Sequence, residues 1–110
     1  GQELATNKML QDVPLADVVI VNPTHYAVAL KWDRSQAMAP ICVAKGVDEI
    51  AARIRELAVE NAVPMHADPP TARALHAEVA LGHEISQHHY RAVAAAIRFA
   101  EEISKKAARR

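Results

Sequence analysis

Apolar residues gather into short runs early in the chain and into helical stripes later, and the two periods divide it. Val18–Val21 and Tyr26–Leu30 are apolar runs separated by Asn22-Pro23-Thr24-His25. Runs bounded by such a turn signal read as neighbouring strands joined at a tight corner. The first has no polar face, which predicts burial on both sides. The second leaves through Lys31-Trp32-Asp33-Arg34, a solvated exit into a loop over Ser35 to Ala39. Ile41–Ala44, behind Pro40, reads as a third, inner strand, and Val63–His66 as a short edge strand, where Pro64 is tolerated.

Beyond Gly46, expected to break the third run, Val47, Ile50, Ala51, Ile54, Leu57 and Ala58 recur on one helical face. Asp48 and Glu49 fall in its first turn, where acids suit the macrodipole; Glu49 is expected to face Arg53, and Asn61 to close the helix. Asp68-Pro69 is a helix start, an acid at the cap with proline behind it. Ala72, Leu75 and Val79 form its buried stripe and Gly82 its expected end. Ser86 is expected to cap a last helix turning Tyr90, Val93, Ala94 and Ile97 inward. Gln2–Gln11 reads as a weak lead-in helix. The expected organisation is a lead-in over residues 1–13, one compact domain over 14–104, and a basic tail, Lys105–Arg110, fraying into solvent. The fold expected for that domain is α/β, a small mixed four-stranded sheet packed with about four helices.

Composition narrows this picture. At 110 residues the chain is long enough for a real core, yet aromatics are 4% against 51% apolar, so Ala, Val, Ile and Leu must build it. Thirteen basic residues balance thirteen acidic ones, which argues against a nucleic-acid binder. A single cysteine excludes an internal disulfide and fits a reducing compartment. No apolar run approaches the roughly 18 residues of a membrane span, and no signal peptide is visible.

The corner carries the chemistry. An asparagine ordinarily ages when the next backbone nitrogen attacks its side-chain carbonyl, and Pro23 has no N–H to do so. The remaining route is attack by the Asn22 side-chain nitrogen on its own main-chain carbonyl. That closes a succinimide and cuts the chain between Asn22 and Pro23. The amide is a poor nucleophile that must lose a proton as it attacks. His25 is the nearest side chain able to take one at neutral pH, or else it orients the turn; Thr24 can donate or accept a hydrogen bond. The plain alternative is that Asn-Pro merely starts a turn.

The wider wording shifts the balance toward scission. NPTHYAVAL, then MAPICVAKGVDEIAARIRELA and VPMHADPPTARALH, resembles the cytoplasmic domain of the self-cleaving FlhB-type switch proteins of flagellar and type III secretion export, from Asp12 to at least Ser104. AVALKWDR and VAKGVDE look more like the flagellar branch. The resemblance implies autocleavage at Asn22–Pro23 with the pieces staying together, and a change in export from early to late substrates. It implies as partners other export-apparatus proteins, the hook-length control protein and export substrates. It implies transmembrane helices ahead of this domain. The chain would then be an excised portion, Gly1 a remnant of the excision. It would work at the cytoplasmic face of the bacterial inner membrane, reaching the membrane only through an N-terminal part. The reaction would be a single intramolecular turnover rather than enzymatic turnover.

Other candidates are weaker. His88 and His89 are adjacent, so on a helix they point about 100° apart and cannot form a one-turn metal pair. His66, His76 and His83 lack a ligand framework; all five read as surface or half-buried side chains, and neither metal nor cofactor is expected. Cys42, in an apolar strand, reads as a buried, inert thiol. Trp32 with Arg34 reads as packing or a partner contact. Asp68-Pro69-Pro70 is structural by default and, through the resemblance, a docking surface near the cut. A docking module whose corner is never cut is the alternative function. Hydrolysis of an outside substrate finds no carboxylate pair, phosphate loop or triad pattern.

Overall fold

In the computed structural model, which describes residues 2–108, a four-stranded mixed sheet is sandwiched between two layers of helix. Strands β1 (Val18–Asn22), β2 (Tyr26–Lys31), β3 (Ile41–Val47) and β4 (Met65–Ala67) lie in the order β3-β2-β1-β4. β1 pairs antiparallel with β2 and parallel with β4, and β2 pairs antiparallel with β3. The α/β class and the mixed four-stranded sheet follow the sequence expectation.

All of β1 is buried, because strand pairing covers both edges and helices cover both faces. Alternation sends Val18 and Ile20 to one face, with Val28, Leu30, Leu75, Val93 and Ile97. Val19 and Val21 go to the other, with Ala27, Ala29, Ala51, Ile54 and Ala58. Helices α3 (Pro69–Glu78) and α4 (Tyr90–Ala108) pack on the first face; α2 (Asp48–Glu60) packs on the second. The lead-in forms α1 (Gln2–Leu10), and a 3-10 turn, Val13–Leu15, joins it to β1. Leu10 and Val13 are buried in the second cluster, so the segment ahead of the corner is held by more than its strand.

Several boundaries differ from the pattern, each for a local reason. β3 runs on through Gly46, which pairs with Ala27; a β-carbon there would lie 2.3 Å from Ile50 Cγ2 and 2.7 Å from Ile50 Cβ, so glycine lets α2 turn directly off the strand. Arg53 pairs with Glu56 at 3.0 Å rather than with Glu49. Asn61 does close α2, its side chain donating to the Leu57 carbonyl at 2.8 Å. α3 stops at Glu78; Gly82, at φ +80°, instead turns the chain so that residues 82–85 cover the free edge of β3, with Gly82 N–H donating to Cys42 O and Cys42 N–H to His83 O. Ser86 precedes a 3-10 turn, Gln87–His89, without a side-chain cap, and α4 starts only at Tyr90. That start rotates Tyr90 outward, and Val93, Ala96, Ile97 and Ala100 form the buried stripe. Of the basic tail, Lys105 and Lys106 continue α4 with exposed side chains, whereas Arg109 and Arg110, like Gly1, lie outside the described residues.

Candidate functional site

Pairing of Asn22 with Tyr26 leaves Pro23, Thr24 and His25 as a tight, exposed corner. His25 N–H donates to Asn22 O at 2.9 Å, the bond that closes a four-residue turn, with proline at the position whose φ it fixes. Asn22 itself is only 9% exposed, and alternation places it on the same face as Val18, Ile20 and its partner Tyr26. The corner therefore combines a sheltered asparagine, an outward proline and a hydrogen-bonded asparagine carbonyl. That bond withdraws electron density from the carbonyl and would hold the negative charge that builds on its oxygen during attack.

The corner is braced by β3. The antiparallel register that sets Tyr26 opposite Val47 brings His25 level with Asp48. Asp48 N–H donates to His25 O at 2.9 Å, and His25 Nδ1 lies 3.7 Å from Asp48 Oδ1, both side chains exposed. The sequence pattern gives Asp48 only a helix-dipole role; the β2–β3 register is the signal that pairs it with His25.

Asp68, Pro69 and Pro70 sit at the same end of the sheet, since Asp68 N–H donates to Val21 O at 3.0 Å. Asp68 also caps α3, accepting from Thr71 N–H at 3.3 Å and Thr71 Oγ1 at 2.7 Å. Next to the corner, the Tyr26 ring lies 5.1 Å from that of His76, and Lys45 Nζ donates to the His76 carbonyl at 2.9 Å in the last turn of α3. Burial, then the Lys45 charge, lowers the His76 pKa from its ordinary value.

Trp32 and Arg34 are at the other end of β2 and do not join the corner. The half-buried Trp32 receives the Arg34 guanidinium 4.6 Å above its ring, and Arg34 pairs with Glu101 at 3.0 Å. Cys42 is buried, and burial pushes its thiol up to about 11. His89 departs from the expected surface or half-buried position: it is buried, with Nε2 2.6 Å from Glu78 at the end of α3. No group of three or more His, Cys, Asp or Glu among the described residues could hold a metal ion, and none of the described helices is long and apolar enough to cross a membrane.

A small mixed sheet layered with helices and carrying this corner is the architecture of solved FlhB cytoplasmic and EscU C-terminal domains. The family described as FlhB HrpN YscU SpaS matches residues 1–100, and the chain belongs to it, in the flagellar branch. It is 41% identical over 105 residues to the flagellar biosynthetic protein FlhB of Bacillus subtilis, covering 96% of this chain and 29% of that protein. With FlhB of Salmonella typhimurium the identity is 49% over 90 residues, 82% of this chain and 24% of that one. The chain thus spans less than a third of the length of these relatives. The crystal structure of the cytoplasmic domain of FlhB from Shewanella putrefaciens superposes with a TM-score of 0.87 at 38% identity, over 92% of this chain and 78% of that one. An EscU C-terminal domain bearing an asparagine-to-alanine change gives 0.81 at 28% identity, over 86% of this chain and 94% of that one. Other solved EscU domains are altered at the proline that follows that asparagine and at a histidine two positions beyond the proline, the spacing of Asn22, Pro23 and His25.

Proposed function

We propose that this domain cuts itself once, between Asn22 and Pro23, and that the cut domain serves as the substrate-specificity switch of flagellar protein export. The observation that carries this reading is the Asn22 carbonyl: it belongs to a sheltered asparagine, accepts the His25 N–H at 2.9 Å, and is followed by a proline. Asn22 Nδ2 bonds to the Asn22 carbonyl carbon and the bond to Pro23 N breaks. One proton leaves Nδ2, with the exposed His25 imidazole or water as acceptor, and one arrives at Pro23 N, which departs as a secondary amine. Water then opens the succinimide. Asn22 and Pro23 are the reacting residues, Thr24 shapes the turn, and His25 takes the proton or orients the turn. Each tenfold gain lowers the barrier by about 1.4 kcal/mol, so positioning in the turn must supply several kcal/mol.

The fold supports retention of the short piece. β1 is hydrogen-bonded on both sides, and Leu10 and Val13 add burial ahead of it. Cutting would free the corner while leaving the sheet in place, reshaping the surface beside Asp68-Pro69-Pro70. Export-apparatus proteins, the hook-length control protein and export substrates are the partners that would read it, at the cytoplasmic face of the inner membrane. The reaction is a single intramolecular turnover and not turnover of an outside substrate.

A second reading, a docking module, is favoured by an apolar groove bounded by Trp32, Met38, Pro40, Tyr90, Ala94 and Ile97, with Met38 90% exposed. Purified protein and Asn22→Ala separate the two readings. On a denaturing gel, scission gives two bands for the unaltered chain and one for the variant, while both elute natively as one particle of the same size. A single band for both leaves the docking module alone.

A further inference from the structure

We propose that Asp48 is a positioning residue for scission, holding His25 over the corner by backbone and carboxylate together; the inference rests on the scission proposed above. Asp48 is the first residue of α2 and sits at φ +47°, in the left-handed region that disfavours a residue with a β-carbon. That conformation persists only where its surroundings hold it. One hold is visible: Asp48 N–H, pointed back across the strand ends, donates to His25 O at 2.9 Å.

The side chain also reaches the corner. The start of α2 has no side-chain cap, and the one ion pair of Asp48 among the described residues is to His25 Nδ1, at 3.7 Å. Gly46 sets up the geometry, because only a residue without a β-carbon lets Ile50 close over the strand and α2 begin two residues later. The corner is thus clamped at the residue whose N–H holds the scissile carbonyl and whose ring is the nearest base. When the ring takes a proton from the attacking amide, the Asp48 carboxylate attracts the imidazolium.

The contact is solvent-exposed, with side chains 66% and 74% accessible, so its contribution is that of charges in water and yields to salt. Asp48→Asn keeps the backbone bond and tolerates the left-handed conformation but carries no charge. Asp48→Gly relieves the conformation and removes the side chain, so slow scission in it does not arise from backbone strain. Chains made by cell-free synthesis and chased on denaturing gels give the rate of loss of the full-length form.

Both variants are expected to cut about fivefold more slowly than the unaltered chain at low salt, as unit charges about 4 Å apart in water require. Raising the salt is expected to slow the unaltered chain toward Asp48→Asn while leaving both variants unchanged. Circular dichroism and melting of each variant confirm the native fold. Unaltered rates in the two variants, or an unaltered chain that ignores salt, overturn the role of Asp48 while scission stands. Absence of scission in the unaltered chain removes both.

Discussion

The backbone N–H of His25 donates to the carbonyl oxygen of Asn22 at 2.9 Å, so the bond proposed to break is polarised by the turn that contains it. Pro23, between them, blocks the competing fate of the asparagine by lacking an N–H. Pro23→Ala restores that donor. The expected outcome is a shift from cut chain to uncut chain in which the Asn22 amide slowly becomes an acid, read by intact mass and by ion-exchange chromatography. Scission of Pro23→Ala at the unaltered rate, without deamidation, would refute this account of the proline.

Gly46→Ala tests the joint between β3 and α2. The new methyl would meet Ile50 at 2.3 Å and the Ala51 nitrogen at 3.3 Å, and the nearer contact involves a branched side chain close to its own backbone. Overpacking of this kind costs about 1–3 kcal/mol. For a domain of this size each kcal/mol lowers Tm by about 4–8 °C. A melting curve matching the unaltered chain would mean that α2 is less tightly set on the sheet than the contacts indicate.

Cys42 gives a pH dependence with a definite sign. Its thiol is raised from 9.0 to about 11, first by burial, so the folded state favours the neutral form. That preference stabilises the fold fully below pH 9 and is lost as pH rises through about 11. The loss is on the order of 3 kcal/mol, two pKa units at about 1.4 each. Urea unfolding across this range should show a steeper decline for the unaltered chain than for Cys42→Ala. Parallel declines would place the thiol in contact with water.

The corner and the sheet were legible in the sequence because their signals are local. Asn22-Pro23 between two apolar runs specifies a turn, the unbroken Val18–Val21 run specifies an interior strand, and Asp68-Pro69 specifies a helix start. What stayed hidden depends on partners distant in the chain. Gly46 looked like a strand end, yet pairing with Ala27 carries β3 through it. The contact of Asp48 with His25 follows from the β2–β3 register, which no single stretch displays. His89 is buried because Glu78 receives it, and Tyr90 is exposed because α4 starts later than Ser86 suggested. Trp32 with Arg34 was legible as packing or a partner contact, but neither the guanidinium stacked on its ring nor their distance from the corner was.

Mass spectrometry of the intact chain over time, from synthesis onward, tests the central claim most directly. Scission by asparagine cyclisation predicts that the full-length mass gives way to pieces 1–22 and 23–110. The short piece should appear first one water lighter than its hydrolysed form, while Asn22→Ala stays whole. A full-length mass that persists in fresh and aged samples alike would contradict the account, as would a short piece that carries the added water from the first time point.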